Sequence, residues 1–263
     1  MANKLDLLDP SVIKAETIRR PDSELVRGYQ ALGVADVAGR VARAMDPLGI
    51  NCTIPASRLQ PIQMGKVLVG PAMTVRNIPE REMPLRRWRD GEPTRLGERE
   101  AFFLLQQGDV VVIDGSAVYP ASCLGSMAVA TASYLGAAGI IVSGAVTGVA
   151  GIREAKIPVW ARSGTTITGH HRAETVEING PMGIEGVRVE PGDLIVADDS
   201  GVTVVPFDLA EDVLERARAS EQKGSGVRAL LDSNADRDVV RSELASFMRD
   251  LTAKPGAQSN QSG

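Results

Sequence analysis

The strongest constraint on the fold lies between residues 109 and 147. Two apolar runs, Val110-Val-Val-Ile and Gly139-Ile-Ile-Val-Ser-Gly-Ala-Val, flank a stretch with helical periodicity. The first run closes at Asp114-Gly115. Between the runs, Leu124, Met127, Thr131 and Tyr134 fall on one face of a helix from about Leu124 to Leu135, and Gly136 supplies its stop. Strand, helix, strand in this order predicts a βαβ unit, because parallel neighbours need a crossover connection. The chain is therefore expected to be an α/β protein.

The flanking segments are read from the same signals. Residues 1–22 are polar, contain Pro10 and Pro21, and are expected to form an extended arm with one helical turn. From Ala35 the pattern is helical, with Val37, Val41 and Met45 at four-residue spacing and a stop at Pro47 and Gly49. Lys66 to Val75 predicts strand, turn and strand around Gly70-Pro71. Residues 76–100 are dense in charge and proline. The plain expectation is a solvated surface loop; the sharper one is a flap over an anionic site, using Arg81, Arg86, Arg87 and Arg89. A short helix is expected over Glu100–Gln107, and a further strand at Pro158–Ala161. After Thr165 the period shifts to two, with short strands at Val187, Leu194 and Val202, and turns at Pro191-Gly192-Asp193 and Asp198–Gly201. Asp208 with Glu211 has capping-box spacing. Val240, Leu244, Phe247 and Leu251 make one stripe of a last helix over about Asp236–Leu251. The expected organisation is an arm (1–29), a main domain (30–222), a helical extension (223–254) and a disordered tail (255–263).

Composition narrows the function. At 43% hydrophobic over 263 residues the chain can bury a sizeable core. A net charge of −4 argues against nucleic acid as the main partner. Nothing approaches the roughly 18 apolar residues of a membrane span, and no signal peptide is recognised, so a cytoplasmic protein is expected. Cys52 and Cys123 have no metal-site spacing and read as free thiols.

Four stretches carry a resemblance: Gly65–Val75 with its VGPAMTV core, Gly108-Asp-Val-Val-Val-Ile-Asp-Gly, Leu124–Val149, and Pro191–Pro206. In this order and at this spacing, over about residues 30–220, the chain resembles the RraA-like family, whose enzymatic branch comprises 4-hydroxy-4-methyl-2-oxoglutarate aldolases. The resemblance implies an α/β/β sandwich resembling the phosphohistidine swivelling domain. It also implies a homotrimer or homohexamer with sites between subunits, and a small carboxylate substrate. In the aldolases a Gly-acid pair opens the helix after the first central strand, and its backbone N–H groups hold the substrate carboxylate. Here those positions are Gly125 and Ser126, with Met127 following, so the backbone cradle is retained and the acid is not. An Arg-Asp pair then binds the substrate and a Mg²⁺ or Mn²⁺ ion that polarises the 2-oxo group. The matching residues are Thr147 and Gly148. Threonine gives no bidentate cationic clamp, and glycine gives no metal ligand.

Other residues are candidates for the missing chemistry. Asp114 ends a central strand, where carboxylates line sites or form turns. Ser116 and Tyr119 offer hydroxyls in the same connection. Cys123 precedes the cradle and reads as a small buried hydrophobe rather than a thiolate. His170 is a candidate general acid or base. On a strand, His170 and His171 would face opposite sides. Arg162 is the candidate replacement cation, and Arg153 with Glu154 reads as solvated helix surface. Two functions fit: a carbon–carbon lyase of altered chemistry acting on a small oxo- or hydroxy-acid, with Asp114, Thr147 or His170 in catalysis, or a non-catalytic regulatory scaffold.

Overall fold

A computed structural model of the protein describes residues 9–33, 36–50, 52–82 and 84–252. Helices α1 (Ser23–Gln30) and α2 (Val37–Met45) lead into strands β1 (Thr53–Pro55), β2 (Gln60–Pro61) and β3 (Leu68–Pro79). Two short helices follow, α3 (Pro84–Arg89) and α4 (Glu98–Phe102), before β4 (Val110–Asp114), β5 (Ser122–Gly125), α5 (Ser126–Tyr134), β6 (Gly139–Thr147), α6 (Val149–Arg153) and β7 (Val159–Gly164). Then come β8 (Ala173–Ile178), β9 (Met182–Ile184), β10 (Val187–Val189), β11 (Leu194–Asp198), β12 (Gly201–Val205), α7 (Ala210–Asp232) and α8 (Arg237–Thr252).

The expected parallel βαβ unit is present: β3, β4, β6 and β7 are parallel neighbours in that order. One face of these strands packs on α4, α5 and α6 through Met73, Val111, Ile113, Val129, Ala132 and Ile140. The other packs on the β9–β10 hairpin and on β11 and β12 through Val110, Val112, Ile141, Trp160, Ile184 and Ile195. A third cluster seals α1, α2 and α7 against the outside of β11 and β12. The alternation of Val110 and Val112 with Val111 and Ile113 follows from the period-two geometry of a strand buried on both sides. Helix α2 keeps its expected stripe, with Val37, Val41 and Met45 buried.

Several expectations are corrected. Gly70-Pro71 is not a turn: β3 runs straight through and changes partner there, pairing Leu68–Pro71 with β11 and Ala72–Arg76 with β4. Gly70 is required by space, since a Cβ would lie 2.3 Å from the Gly108 carbonyl oxygen. Residues 76–100 are not simply a solvated loop. Arg87 is buried with an ion pair to buried Glu80 and a second, at 2.9 Å, to Glu92, which pins α3. The helix expected from Glu100 starts at Glu98 and ends at Phe102. The helix expected from Leu124 starts at Ser126, because Leu124 belongs to β5. Its buried face is Ala128, Val129 and Ala132, leaving Met127 and Tyr134 72% and 88% exposed. Small residues let α5 lie close to the sheet, which overrides the larger side chains. Asp208 does not cap α7; it pairs with Arg19 at 3.2 Å. The expected strands at Val187, Leu194 and Val202 and the last amphipathic helix are all present. The expected tail from residue 255 lies outside the described residues.

The N-terminal arm is tied to the crossover unit by charge. Arg20 donates from Nε and Nη2 to the two Asp109 carboxylate oxygens, each at 2.8 Å, and the Asp109 side chain is fully buried. Removing one partner of such a pair strands the other's charge. Arg20→Met is expected to cost about 3–5 kcal/mol in urea unfolding; a loss under about 1 kcal/mol would mean the carboxylate finds water instead.

Helix α4 buries Glu98, whose carboxyl is pushed up to about 7, chiefly by desolvation. A raised folded-state value stabilises the fold at acid pH, and that contribution is lost as pH rises from about 4.5 through about 7. Glu98→Gln removes this dependence. Relative to wild type it should gain roughly 2 kcal/mol between pH 5 and pH 7.5, measured by denaturant titration at each pH. An unchanged difference would show that Glu98 is ionised throughout.

Candidate functional site

The C-terminal ends of the parallel strands carry polar residues at two levels. At the lower level Arg76, Asp114 and Ser143 are direct cross-strand partners on β3, β4 and β6. Asp114 lies on the face of Val110 and Val112 and closes its own turn, its Oδ1 accepting from the Ser116 N–H at 3.0 Å and the Ser116 hydroxyl at 2.7 Å. Arg76 is paired with Glu177 at 2.7 Å. Arg162 donates from Nη2 to Glu185 Oε1 at 2.8 Å, and the Ser143 hydroxyl donates to the same oxygen at 2.8 Å. The guanidinium carbon of Arg162 lies 5.1 Å from the Tyr119 ring centroid, close enough for a cation–π contact.

Glu185 was not singled out from the sequence. It occupies the two-residue turn between β9 and β10 with Gly186, both at positive φ, 48° and 85°. Glu-Gly between two short apolar segments is the available signal for such a hairpin. Nothing local indicates that its tip is inserted against Ser143 and Arg162.

The upper level is built by β5, which continues the lane of β4 alongside the end of β6 and pairs Gly125 with Thr147. Helix α5 starts immediately after. Its N-cap is Gly125, no side chain caps it, and its first N–H groups belong to Ser126, Met127 and Ala128. A Cβ at Gly125 would lie 3.2 Å from Thr147 Oγ1, so the threonine hydroxyl stands at the mouth of the helix. Gly148 has φ +70°, and a Cβ there would lie 2.7 Å from Ser126 Oγ. The structure thus brings together the cradle residues Gly125, Ser126 and Met127 with Thr147 and Gly148. The serine side chain fills the space into which residue 148 would project. The side chain of Met127 points to solvent, so only its backbone can serve an anion.

The histidines are placed differently. His170 and His171 lie in a turn, not on a strand, and His171 has φ +58°. The turn packs against the start of β5, where the Ser122 N–H donates to the Ile167 carbonyl at 2.9 Å. Burial, then Arg99 and His171, hold His170 below the usual histidine range. Cys123 is buried and its thiol is pushed up to about 12, mainly by desolvation, in line with a small hydrophobe.

A divalent metal does not fit these residues. Ser126 and Thr147 offer neutral hydroxyls, and Gly148 offers no side-chain donor. Among the described residues, no three His, Cys, Asp or Glu side chains converge on a possible cation position. Mg²⁺ and Mn²⁺ sites usually include at least one carboxylate, and Gly148, Thr147 and Ser126 supply none.

The sequence matches the family model described as RraA-like, Aldolase/RraA, over residues 34–204. The chain belongs to the RraA-like family. It is 32% identical over 165 residues to a Halalkalibacterium halodurans protein named "Putative 4-hydroxy-4-methyl-2-oxoglutarate aldolase", a match covering 63% of this chain and 72% of that one. It is 25% identical to protein DlpA of Legionella pneumophila over 207 residues, 78% of this chain and 32% of DlpA. Among solved structures, Streptomyces coelicolor RraAS2, described as an unusual member of the RNase ES inhibitor RraA protein family, superposes with a TM-score of 0.67 at 29% identity. That superposition covers 81% of this chain and 99% of RraAS2. A protein from Pseudomonas syringae pv. tomato shares the fold, with a TM-score of 0.69 at 24% identity over 85% of this chain and 99% of that one. Among the described residues no helix is long and apolar enough to cross a membrane.

The contact between Ser126 and Gly148 is directly testable. Gly148→Ala should destabilise by about 1–2 kcal/mol from the left-handed backbone alone, with a further loss from the serine contact. In a Ser126→Gly background the second loss should vanish and the first remain. Equal losses in the two backgrounds would show that the serine rotates away freely.

Proposed function

We propose that this RraA-like chain is a divergent carbon–carbon lyase acting on a small carboxylated oxo- or hydroxy-acid, by aldol cleavage or decarboxylation. The observation that carries the reading is the uncapped start of α5 facing the Thr147 hydroxyl across the Gly125–Thr147 pair. A helix N-terminus with free N–H groups is a ready anion site. The amides of Gly125, Ser126 and Met127 would hold the substrate carboxylate. Thr147 would donate to the 2-oxo oxygen, where negative charge gathers as the C–C bond breaks. Arg162 would contribute through the N–H groups that Glu185 does not take.

A proton must be returned to the enolate carbon. In aldol cleavage Asp114 or His170 would take the proton of the hydroxyl beside the breaking bond as base and return that proton to the enolate carbon as acid; in decarboxylation, where no such proton is released, solvent would supply it. The relatives named as aldolases support the reaction class. Assembly as a trimer or hexamer with sites between subunits, and a cytoplasmic location, belong to the same proposal. A second reading, a non-catalytic regulatory scaffold, is favoured by the likeness to RraAS2 and by the fact that Arg76 and Arg162 are both already paired with carboxylates.

The test is turnover of oxaloacetate and of 4-hydroxy-4-methyl-2-oxoglutarate, with Mg²⁺ or Mn²⁺ and with EDTA. Pyruvate release unchanged by EDTA is expected. Thr147→Val should lower kcat/KM by roughly 10–100-fold, the worth of a hydrogen bond to a charged group. Activity that requires added metal would refute the reading of Gly148. No turnover on either acid would favour the scaffold.

A further inference from the structure

Trp88 and Tyr134 are large aromatic side chains left in water, 74% and 88% exposed, on separate parts of the chain. Trp88 sits on α3, and Leu85, three residues before it on the same face, is also exposed. The helix cannot turn this pair inward. Arg87 lies on another face of α3 and is buried in its ion pairs with Glu80 and Glu92. The result is an apolar knob fixed in solvent, with exposed Arg89 and Asp90 directly beside it. Aromatic side chains gain most from being covered, so such a knob is an anchor without a pocket.

The chain carries a pocket of matching character elsewhere. A groove of about 540 Å³ lies between α5 and α6, and Tyr134 lines it. Other walls are small, Ala130, Gly151 and Ala155, so a bulky side chain can enter. Glu154 and Lys156 complete it, both exposed. Among the described residues, neither of these nor Arg89 takes part in an ion pair. The groove therefore complements the knob twice. It offers an aromatic partner for the indole, and its carboxylate and ammonium match Arg89 and Asp90 in both signs. No residue of α3 lines the groove, and the Arg87 pairs hold α3 in place, so the knob does not fill it within one chain.

We infer that the Leu85–Trp88 knob of one copy docks in the α5–α6 groove of a second copy of this chain, with Arg89 paired to Glu154 across the contact. The contact is heterologous, knob to groove, so each chain keeps one free knob or groove until a ring closes. It stands apart from the lyase reading and needs only the scaffold. It also brings a neighbouring chain beside Ser126, which lines the groove and begins α5.

The experiment is sedimentation of the full chain over a range of concentrations, with acrylamide quenching of tryptophan fluorescence on the same samples. The chain has two tryptophans, and Trp160 is fully buried, so Trp88 is the indole that the quencher reaches. Assembly should shield it, and dilution to single chains should expose it. Arg89→Glu and Glu154→Arg should each weaken assembly by about tenfold, and the two changes together should restore it. Both side chains are exposed, so the fold should survive, which circular dichroism checks. A chain that stays single at every concentration would overturn the docking. So would an indole still open to quencher in the oligomer, or charge reversals that leave assembly unchanged or fail to rescue one another.

Discussion

Strand β3 is the constraint on which the rest depends, because its twelve residues belong to two sheet regions in succession. Leu68–Pro71 pair antiparallel with β11, and Ala72–Arg76 pair parallel with β4. The handover occurs at the one place where a residue lacks a side chain and the next lacks an N–H. Gly70 admits the Gly108 carbonyl, and Pro71 has no donor to leave unpaired. The Gly192 N–H donates to the Ala72 carbonyl at 2.9 Å and the Ala72 N–H to the Asp193 carbonyl at 2.8 Å, which carries the β11 side of the ladder one residue past the proline. A larger residue at 70 would push apart the layers that hold β11 and β12 over the parallel strands, and the hairpin bearing Glu185 would move with them.

The site inherits its geometry from this frame. The excursion between β4 and β5 leaves the lane and returns to it, which sets Gly125 opposite Thr147. Arg162, Ser143 and Glu185 form a compact polar unit below. Glu185 is 5% exposed and Arg162 34%, so the pair is desolvated on one side only. Its charge is balanced internally, and its effect on a bound anion is directional rather than a net positive field.

The βαβ unit was legible because its signals are local: apolar runs of strand length, a helical period between them, and a glycine stop. The Ala-Asp-Asp-Ser-Gly turn was legible too; the Asp198 carboxylate accepts from the Ser200 N–H at 2.8 Å, as a turn aspartate should. What failed was the assignment of faces. On α5 the largest apolar residues, Met127 and Tyr134, point outward, because the helix is seated by alanines whose small size permits close approach. From the sequence, Arg87 is one of four arginines in a segment expected to be either a solvated loop or a flap over an anionic site. Its burial depends on Glu80 and Glu92 converging from either side of α3, and spacing alone does not encode that. In the site, the altered positions were visible as substitutions. That Ser126 sits in the space above Gly148 was not, since the two are distant in sequence and meet only through β5 and β6.

That contact bears on which chemistry the site can support. The resemblance implies an arginine and a metal-binding aspartate at the positions of Thr147 and Gly148; arginine, aspartate and a divalent ion together carry +2, so replacing them with threonine and glycine would remove that charge along with the electrophile. A metal stabilises an enolate by several kcal/mol. A helix N-terminus contributes about 0.3–1 kcal/mol at an exposed site and up to about 2 where partly buried, and one hydroxyl adds a hydrogen bond of about 1.5–3 kcal/mol to a charged oxygen. The retained groups recover part of the lost stabilisation, not all of it. The deficit falls most heavily on an unactivated aldol, whose leaving carbon carries no charge to expel. It falls least on a β-oxo acid, where carbon dioxide leaves neutral and the carboxylate's charge passes to the enolate, so no hydroxyl proton has to be removed first. Under the proposed lyase reading, decarboxylation therefore asks less of the residues at 125–127 and 147 than retro-aldol cleavage does.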